Sequence, residues 1–264
     1  MNTPLPLAGR SALVTGSTGG LGHAIAEHLV AQGARVMFTG LLPAAEMADE
    51  IARLNTLGGA AAYEPADISD PAALVALIDG AQARHGAVDI LVNNAVVRHT
   101  APIDSYPPEK WELALAVNLS APFHAIRRVL PGMREKGFGR ILNVASVYSF
   151  KGIANRVDYV TTKTGLLGLT RTVALEVAGD EITCNAVCPG VLPTPAITGK
   201  IAGIAREEGV SVEEATRAYL ADRHPSGRFA SMEAVAALVA FLCSPAARDI
   251  NGAVLPVDGA WLAS

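Results

Sequence analysis

Seven short, mostly apolar runs alternate with helical segments along this chain. The runs have strand-like composition and occupy 11–15, 35–39, 60–65, 89–93, 140–144, 182–187 and 254–257. Such strands, separated by helices, are typical of a parallel sheet with helices on both faces. The pattern therefore predicts an α/β, doubly wound fold with a seven-stranded parallel sheet. Because the chain contains no linker, repeat or low-complexity segment, we expect residues 1–264 to form a single domain.

A glycine-rich turn separates the first strand-like run from a helical segment, 24–32. The turn reads Gly16-Ser17-Thr18-Gly19-Gly20-Leu21-Gly22. Glycines let a backbone approach a pyrophosphate closely, and a helix N-terminus offers free N–H groups and partial positive charge. A strand, a glycine turn and a helix in this order predict a phosphate site. The alternative is a tight turn that binds no ligand.

Several residues suited to a binding site fall where a predicted strand ends. They are Gly16, Asp67, Asn93, Ser146 and Pro189. Open parallel sheets bind their ligands outside the carboxyl ends of the strands. We therefore expect one cleft to collect these residues.

A tyrosine and a lysine four residues apart carry the strongest chemical signal. Tyr159 and Lys163 begin a segment, 159–177, with apolar residues at helical spacing, and Ser146 lies thirteen residues before the tyrosine. The four-residue spacing places both side chains on one helix face. A nearby ammonium favours the charged form of a phenol, whose usual pKa is about 10, so the pair can transfer protons near neutral pH. The serine hydroxyl can hold the substrate oxygen.

A second pair with the same spacing, Tyr106 and Lys110, provides a contrast. Pro107 and Pro108 lie between them, and Asn93 rather than a serine stands thirteen residues before the tyrosine. Proline removes a backbone donor and clashes with the preceding helical turn. We therefore do not expect this pair to share a helix face.

The composition excludes several classes of function. The formal net charge of −4 is spread without a basic stripe, so we expect no nucleic-acid partner. The longest apolar run, 234–243, is too short to cross a bilayer, and no signal-peptide pattern opens the chain. Cys184, Cys188 and Cys243 lack metal-ligand spacing. We therefore predict buried thiols, no metal site, no membrane association and a cytoplasmic location.

A charged segment, 194–223, interrupts the alternation after Pro189-Gly190. A helical insertion at the carboxyl edge of the sheet is well placed to be a lid over the substrate. A solvated helical excursion without a gating role is the alternative.

Together these motifs resemble the short-chain dehydrogenases/reductases over essentially the whole chain. The matching positions are Thr15-Gly16-x-x-x-Gly20-x-Gly22, Asn93-Asn94-Ala95, Asn118, Ser146, Tyr159-x-x-x-Lys163 and Pro189-Gly190-x-x-x-Thr194. The resemblance implies a Rossmann-type domain that transfers hydride between a nicotinamide and a carbinol or carbonyl carbon. It implies that Tyr159 is the general acid and base, and that Ser146 holds the substrate oxygen. Lys163 is expected to lower the pKa of the tyrosine and bind the ribose, and Asn118 to anchor a proton-relay water.

The same resemblance implies a nicotinamide cofactor site. The expected contacts are Gly16, Thr18, Gly20, Leu21, Gly22, Asp67, Ile68, Asn94, Ala95, Tyr159, Lys163, Pro189, Gly190, Val191 and Thr194. An acidic residue at the end of the second strand favours NAD, and an arginine favours NADP. The sequence there, Thr39-Gly40-Leu41-Leu42, has neither. Because no cation lies where a 2′-phosphate is expected, we predict NAD, with NADP as the alternative.

A closer resemblance, to the bacterial D-3-hydroxybutyrate dehydrogenases, rests on 9–22, 89–95, 118–120, 184–190 and 257–262. It implies NAD, a homotetramer and a small hydroxy-acid substrate. The expected substrate residues are Arg98, His99, Ser146, Tyr148, Arg156, Val191 and Trp261. Four of these depart from that family, which has glutamine, histidine, lysine and tryptophan where this chain has Arg98, Tyr148, Arg156 and Val191.

These departures have a chemical direction. Arginine holds a carboxylate with a planar fork of donors, and the small Val191 makes room beside it. We therefore predict a hydroxy or keto acid related to, but different from, 3-hydroxybutyrate.

Two further departures from the family pattern bear on the rate of catalysis. Val96 replaces a glycine and is disfavoured if its φ is positive, and Asp158 opposes phenolate formation if its carboxylate turns inward.

Two other functions fit the same residues. A reductase or dehydrogenase of neutral cyclic or aromatic substrates would have the arginines facing solvent. A nucleotide-binding sensor without catalysis is the second alternative, because a fold does not fix a function.

Overall fold

The computed structural model describes residues 5–264, in which seven parallel strands form one sheet with the order β3-β2-β1-β4-β5-β6-β7. The strands are β1 (Ser11–Val14), β2 (Arg35–Gly40), β3 (Ala60–Pro65), β4 (Ile90–Asn93), β5 (Gly139–Val144), β6 (Ile182–Pro189) and β7 (Val254–Val257). All neighbouring strands pair in parallel. The predicted doubly wound α/β fold is confirmed, and each predicted run agrees with its strand to within two residues at either end.

Helices cover both faces of this sheet. They are α1 (Gly20–Ala31), α2 (Ala48–Leu54), α3 (Pro71–His85), α4 (Pro108–Leu115), α5 (Ala121–Lys136), α6 (Val157–Glu176), α7 (Pro195–Glu208), α8 (Val212–Ala221) and α9 (Met232–Cys243). Successive strand residues point to opposite faces. Val14 therefore joins the core under α1 and α9, whereas Leu13 joins the core under α3, α5 and α6. Burial on both faces explains why the strands are apolar throughout.

The sequence of residues 107–134 predicts one long helical stretch with Asn118 near its middle, and the structure differs from that prediction. Helix α4 ends at Leu115, a single π-helical turn follows at Ala116–Ser120, and α5 then begins. Asn118 lies in this turn, where its side chain hydrogen-bonds both backbone groups of Val97. The spacing of apolar residues cannot show such a turn, because its cause is a contact with a distant loop.

The strand order places a crevice at the centre of the carboxyl edge. The chain continues from β1 to β2 and β3 on one side, and returns to β4 on the other. Loops that leave β1 and β4 therefore diverge, which opens the site where such sheets bind nucleotides. Within residues 5–264, no helix combines the length and apolarity needed to span a membrane.

Candidate active site

A cavity of about 980 Å³ runs along the carboxyl edge of the sheet. Residues from the ends of six strands line it, together with residues of α6 and of the segment 194–223. Fourteen of the fifteen residues predicted to contact the cofactor lie in its wall, the exception being Gly20. The sheet therefore brings into one cleft almost all the cofactor residues that the sequence motifs distribute between positions 16 and 194.

The glycine turn after β1 forms one end of the cavity. A Cβ atom on Gly22 would lie 2.3 Å from the backbone oxygen of Gly16, and one on Gly16 would lie 2.8 Å from Cα of Ala95. Helix α1 has Gly19 as its N-cap residue and no side-chain cap, so its first N–H groups are open to a ligand. This close-packed, uncapped turn fits the phosphates of a dinucleotide. Gly20 has a φ of +56° and lies outside the wall, so its part in the turn is conformational.

Thr15 and Asn94 join the glycine turn to the end of β4. The Asn94 amide donates to the backbone oxygens of Thr15 and Gly16 at 2.9 and 3.0 Å. The Thr15 hydroxyl accepts from the backbone N–H groups of Asn94 and Ala95. These bonds hold the two diverging loops at a fixed separation. The sequence motif includes Thr15 without assigning it a role, although its position at a strand end is consistent with this one.

The end of β2 and the residues after it form the neighbouring part of the cavity wall. They are Thr39, Gly40, Leu41 and Leu42. Leu41 is 76% exposed, and no acidic or basic side chain of this segment reaches the cavity. Asp67, after β3, is the one carboxylate in the described cavity wall. Hydrogen bonds from the hydroxyl and backbone N–H of Ser69 hold the pKa of Asp67 below its usual range.

Ser146, Tyr159 and Lys163 all line the middle of the cavity. Ser146 follows β5 and accepts a hydrogen bond from the backbone N–H of Tyr148 at 3.2 Å. Lys163 is buried one helical turn after Tyr159, with its Nζ 5.9 Å from the centre of the phenol ring. That Nζ donates to the backbone oxygen of Val144 at 2.6 Å. Burial lowers the pKa of Lys163 to about 8, and the nearby Arg98 acts in the same direction.

Asn118 lies behind this group and outside the cavity wall. Its side chain is buried, bonds both backbone groups of Val97, and donates to the hydroxyl of Thr162 at 3.2 Å. These contacts fix the π-helical turn against α6 and the loop after β4. Single π turns recur at functional sites. The predicted role of Asn118 at a relay water stays a prediction.

The contrasting pair, Tyr106 and Lys110, does not share a helix face. Tyr106 precedes α4, and its ring packs edge-on against His99 at 5.5 Å. Burial and the carboxylate of Asp158 raise the pKa of Tyr106 to about 12. The prolines therefore separate the two side chains, as the sequence predicts.

Six of the seven predicted substrate residues line the substrate end of the cavity, His99 being the exception. Its ring turns toward Tyr106, and its backbone N–H donates to Asp158 at 2.9 Å. Asp158 is fully buried and binds this loop with its carboxylate. Val96, also on the loop, does not have a positive φ, so the expected backbone strain is absent.

Two arginine side chains line the cavity near Tyr159 and Lys163. Arg156 lies 5.5 Å from the centre of the Tyr159 ring and donates to the hydroxyl of Thr100. Arg98 is exposed but reaches the cavity. Neither forms an ion pair with any residue of 5–264. Tyr148 and Trp261 pack edge-to-face at 5.4 Å and add aromatic surface to the same cavity wall.

The segment 194–223 folds over this end as helices α7 and α8. Ile201, Ala205 and Ala215 form the buried contact between them. The residues Lys200, Tyr219 and Arg223 line the cavity from this side. Sequence reasoning missed all three, although two of them are basic residues within the predicted lid. At its base, His224 is buried and accepts a hydrogen bond from the backbone N–H of Val191 at 2.8 Å.

Comparisons with known proteins agree with this geometry. A family model described as enoyl-(acyl carrier protein) reductase matches residues 16–261. The chain is 42% identical to D-beta-hydroxybutyrate dehydrogenase of Cupriavidus necator, covering 97% of this chain and 99% of that one. It is 36% identical to cis-4-hydroxycyclohexanecarboxylate dehydrogenase of Sinomonas cyclohexanicum, covering 97% and 98%.

A solved structure shows the same likeness in three dimensions. The L-sorbose reductase of Gluconobacter frateurii, complexed with NADPH and L-sorbose, superposes with a TM-score of 0.93 at 28% identity. The match covers 99% of this chain and 100% of that one. With the Ser146, Tyr159 and Lys163 arrangement, these matches show that the chain belongs to the short-chain dehydrogenase/reductase family of oxidoreductases.

Proposed function

We propose that this protein is an NAD-dependent dehydrogenase that interconverts a secondary hydroxy acid and its keto acid. The observation that carries the proposal is the unpaired arginine, Arg156, 5.5 Å from the ring of the catalytic tyrosine. In the oxidation, the alcohol loses a hydride to the nicotinamide and a proton to the protein. A ketone, reduced cofactor and a released proton are the products.

The protein supplies the proton transfer and the positioning. Tyr159, as phenolate, removes the hydroxyl proton, and the Ser146 hydroxyl donates a hydrogen bond to the substrate oxygen. The Lys163 ammonium lies 5.9 Å from the centre of the Tyr159 ring and is shielded from water. The bond from its Nζ to Val144 fixes this charge before substrate arrives. In the reduction Tyr159 returns the proton to the carbonyl oxygen.

The charges in the wall support an anionic substrate. Arg98, Arg156, Lys200 and Arg223 line the substrate end, and the one wall carboxylate, Asp67, lies at the other end of the cavity. A partly buried guanidinium without a partner is costly until an anion binds it. A carboxylate accepts two parallel hydrogen bonds from such a group, which also orients the carbinol. Two relatives named for hydroxy acids, a hydroxybutyrate and a hydroxycyclohexanecarboxylate, support the same class.

NAD is proposed as the cofactor because the end of β2 offers no charge for a 2′-phosphate. Leu41 and Leu42 are the side chains at that point of the cavity wall. The L-sorbose reductase structure contains NADPH, so both cofactors occur among similar proteins. The cytoplasmic location and the homotetramer expected from the sequence remain predictions.

The test is initial-rate NADH formation with paired substrates that differ only in charge. Each hydroxy acid is compared with its methyl ester, and wild type with Arg156→Gln and with Arg217→Gln, an exposed arginine of α8 outside the cavity wall. We expect a preference for the acid that Arg156→Gln reduces and Arg217→Gln preserves. Equal rates on acid and ester in the wild type would reject an anionic substrate and favour the neutral cyclic or aromatic alcohols.

A further inference from the structure

The two helices above the substrate end bring a separate pair of cations to the cavity. Lys200 lies in α7 and Arg223 lies just after α8. The Lys200 Nζ is 5.6 Å from the centre of the Tyr219 ring, and the central guanidinium carbon of Arg223 is 4.4 Å from the same centre. Two positive side chains therefore flank one aromatic ring. Neither forms an ion pair within residues 5–264.

Arg223 is held in place before any substrate binds. Its Nη1 donates to the backbone oxygen of Tyr219 at 2.6 Å, while its guanidinium packs on the ring of the same residue. A guanidinium has five N–H donors, so this bond leaves most of them unused. The fixed orientation reduces the entropy lost when an anion binds.

The pair Lys200 and Arg223 and the side chain of Arg156 approach Tyr159 through different neighbours. Tyr148 packs edge-to-face with Tyr159 at 6.3 Å, and Arg223 is close enough to the Tyr148 hydroxyl to act against the burial that raises its pKa. Tyr148 therefore lies next to both Tyr159 and Arg223. Arg156 instead contacts Tyr159 directly, from the N-terminus of α6. Arg156 and the pair Lys200 and Arg223 therefore form two separate groups of cations near Tyr159.

A single carboxylate cannot neutralise both sites. Arg223 is half-buried and Lys200 is exposed, and two unpaired like charges beside one ring repel each other unless an anion accompanies them. The cofactor phosphates belong at the glycine turn, at the opposite end of the cavity. Because Lys200 and Arg223 line the same cavity as Tyr159, a substrate can supply the anion that complements them.

We propose that the substrate is a dicarboxylate, with its secondary alcohol or ketone carbon between the two acid groups. One carboxylate binds Arg156, as the proposed function requires, and the second binds Arg223 and Lys200 on the lid. The inference rests on that proposed function and deepens it. Binding of the second carboxylate would also favour closure of α7 and α8 over the cavity, because only a substrate with that group connects these helices to the catalytic centre.

The experiment compares acids of equal carbon number with one or two carboxylates. The pairs are 3-hydroxyglutarate with 3-hydroxypentanoate, and 3-hydroxyadipate with 3-hydroxyhexanoate. Initial rates give kcat and KM for the wild type with NAD, and with NADP if NAD is inactive. We expect at least one diacid to exceed its monoacid in kcat/KM by about tenfold to a hundredfold, the effect of one charge-assisted contact.

Variants separate the two sites. Arg223→Gln and Lys200→Gln should raise KM for the diacid by about tenfold and should raise KM for the monoacid much less. Arg156→Gln should impair both acids. Arg217→Gln, on the exposed side of α8, is the matched control and should change neither. Arg223→Lys keeps the charge and should restore part of the loss, which a purely structural role of Arg223 would not predict.

Three outcomes would overturn the inference. They are a wild type that does not prefer either diacid, an Arg223→Gln variant that impairs both acids equally, and a failure to oxidise any acid of either pair. Preference for the monoacids together with sensitivity to Arg156→Gln would reject the lid site alone. Turnover of esters but not of acids would reject the proposed function as well.

Discussion

The two ends of the cavity are built by different means. At the cofactor end the wall is mainly backbone and small side chains, with Gly16, Gly22 and Ala95 in contact and Asn94 hydrogen-bonding the turn. At the substrate end the wall is made of large side chains, many of them cationic, from the loop after β4, the start of α6 and the segment 194–223. A dinucleotide needs close approach, which glycine provides, whereas discrimination among acids needs placed charges. The cofactor end can therefore be shared with relatives while the substrate end differs.

Tyr159 lies at the boundary between the two ends, so its removal should separate binding from chemistry. Tyr159→Phe deletes the proton acceptor and leaves the ring. We expect kcat to fall by about 10³-fold or more, because general acid–base catalysis contributes a factor of this order. NADH binding, measured by fluorescence, should be retained. Tyr106→Phe removes the phenol of the contrasting pair and should keep kcat within severalfold. A Tyr159→Phe enzyme with near-normal kcat would show that another group transfers the proton.

The ease of prediction from sequence also differs between the two ends. The strands and the glycine turn follow from local pattern, because burial on both faces demands apolar runs and close contact demands glycine. The Tyr159 and Lys163 pair follows from helical spacing, and Ser146 from its place after β5. These features depend on few distant contacts, so the sequence alone predicts them.

The substrate end depends on contacts between segments far apart in the chain. Lys200 and Arg223 meet at Tyr219 only because α7 and α8 pack on each other, which no spacing rule shows. His99 turns from the cavity because the buried Asp158 accepts its backbone N–H. Asn118 lies in a π turn because it binds Val97. In each case one tertiary hydrogen bond or packing contact decides the position.

Lys163 lies between the two ends of the cavity, and its buried positive charge lowers the free energy of unfolding. Its folded pKa is about 8 against an unfolded value of 10.5, so below pH 8 the buried ammonium destabilises the fold. Between these values the unfolded chain binds more protons, so stability rises with pH. The difference corresponds to on the order of 3 kcal/mol.

Lys163→Met tests this cost. Without cofactor at pH 7 the variant should have a higher free energy of unfolding than wild type, although it is inactive. That advantage should shrink as pH rises from 8 to 10.5, because wild type then loses the buried charge. Urea unfolding of both proteins across this range measures it. A pH-independent difference would show that Lys163 is not charged in the fold at pH 7.

Gly22→Ala tests whether the cofactor end depends on close backbone contact. The new Cβ would lie 2.3 Å from the Gly16 oxygen, so the turn must move. We expect a loss of about 1–3 kcal/mol in unfolding free energy and weaker NADH binding. Gly168→Ala in α6, where a Cβ meets nothing within 4 Å, is the control and should not destabilise. Unchanged stability and binding in Gly22→Ala would contradict the description of this end as a close-packed turn.

Leu41→Arg tests whether the absence of a cation at the end of β2 is what makes the protein prefer NAD to NADP. Leu41 is 76% exposed, so the change removes no core contact. We expect the ratio of kcat/KM for NADP to that for NAD to rise about tenfold, from a charge-assisted contact with the 2′-phosphate. Ile103→Arg, at another exposed apolar site outside the cavity wall, should leave the ratio unchanged. An unchanged ratio in Leu41→Arg would place the ribose away from β2.

Arg98→Gln should have the smallest effect of these changes. It tests whether Arg98 contributes less to substrate binding than Arg156. Arg98 is exposed, so water and salt screen it, whereas Arg156 is half-buried beside Tyr159. We expect kcat/KM for hydroxy acids to fall about two- to fivefold at low ionic strength, and the loss to vanish at about 0.5 M salt. The pKa of Lys163 should move upward, because a neighbouring positive charge is removed. A large loss that persists in salt would instead mean that Arg98 bonds the carboxylate directly, and the primary site would then be a pair of arginines rather than Arg156 alone.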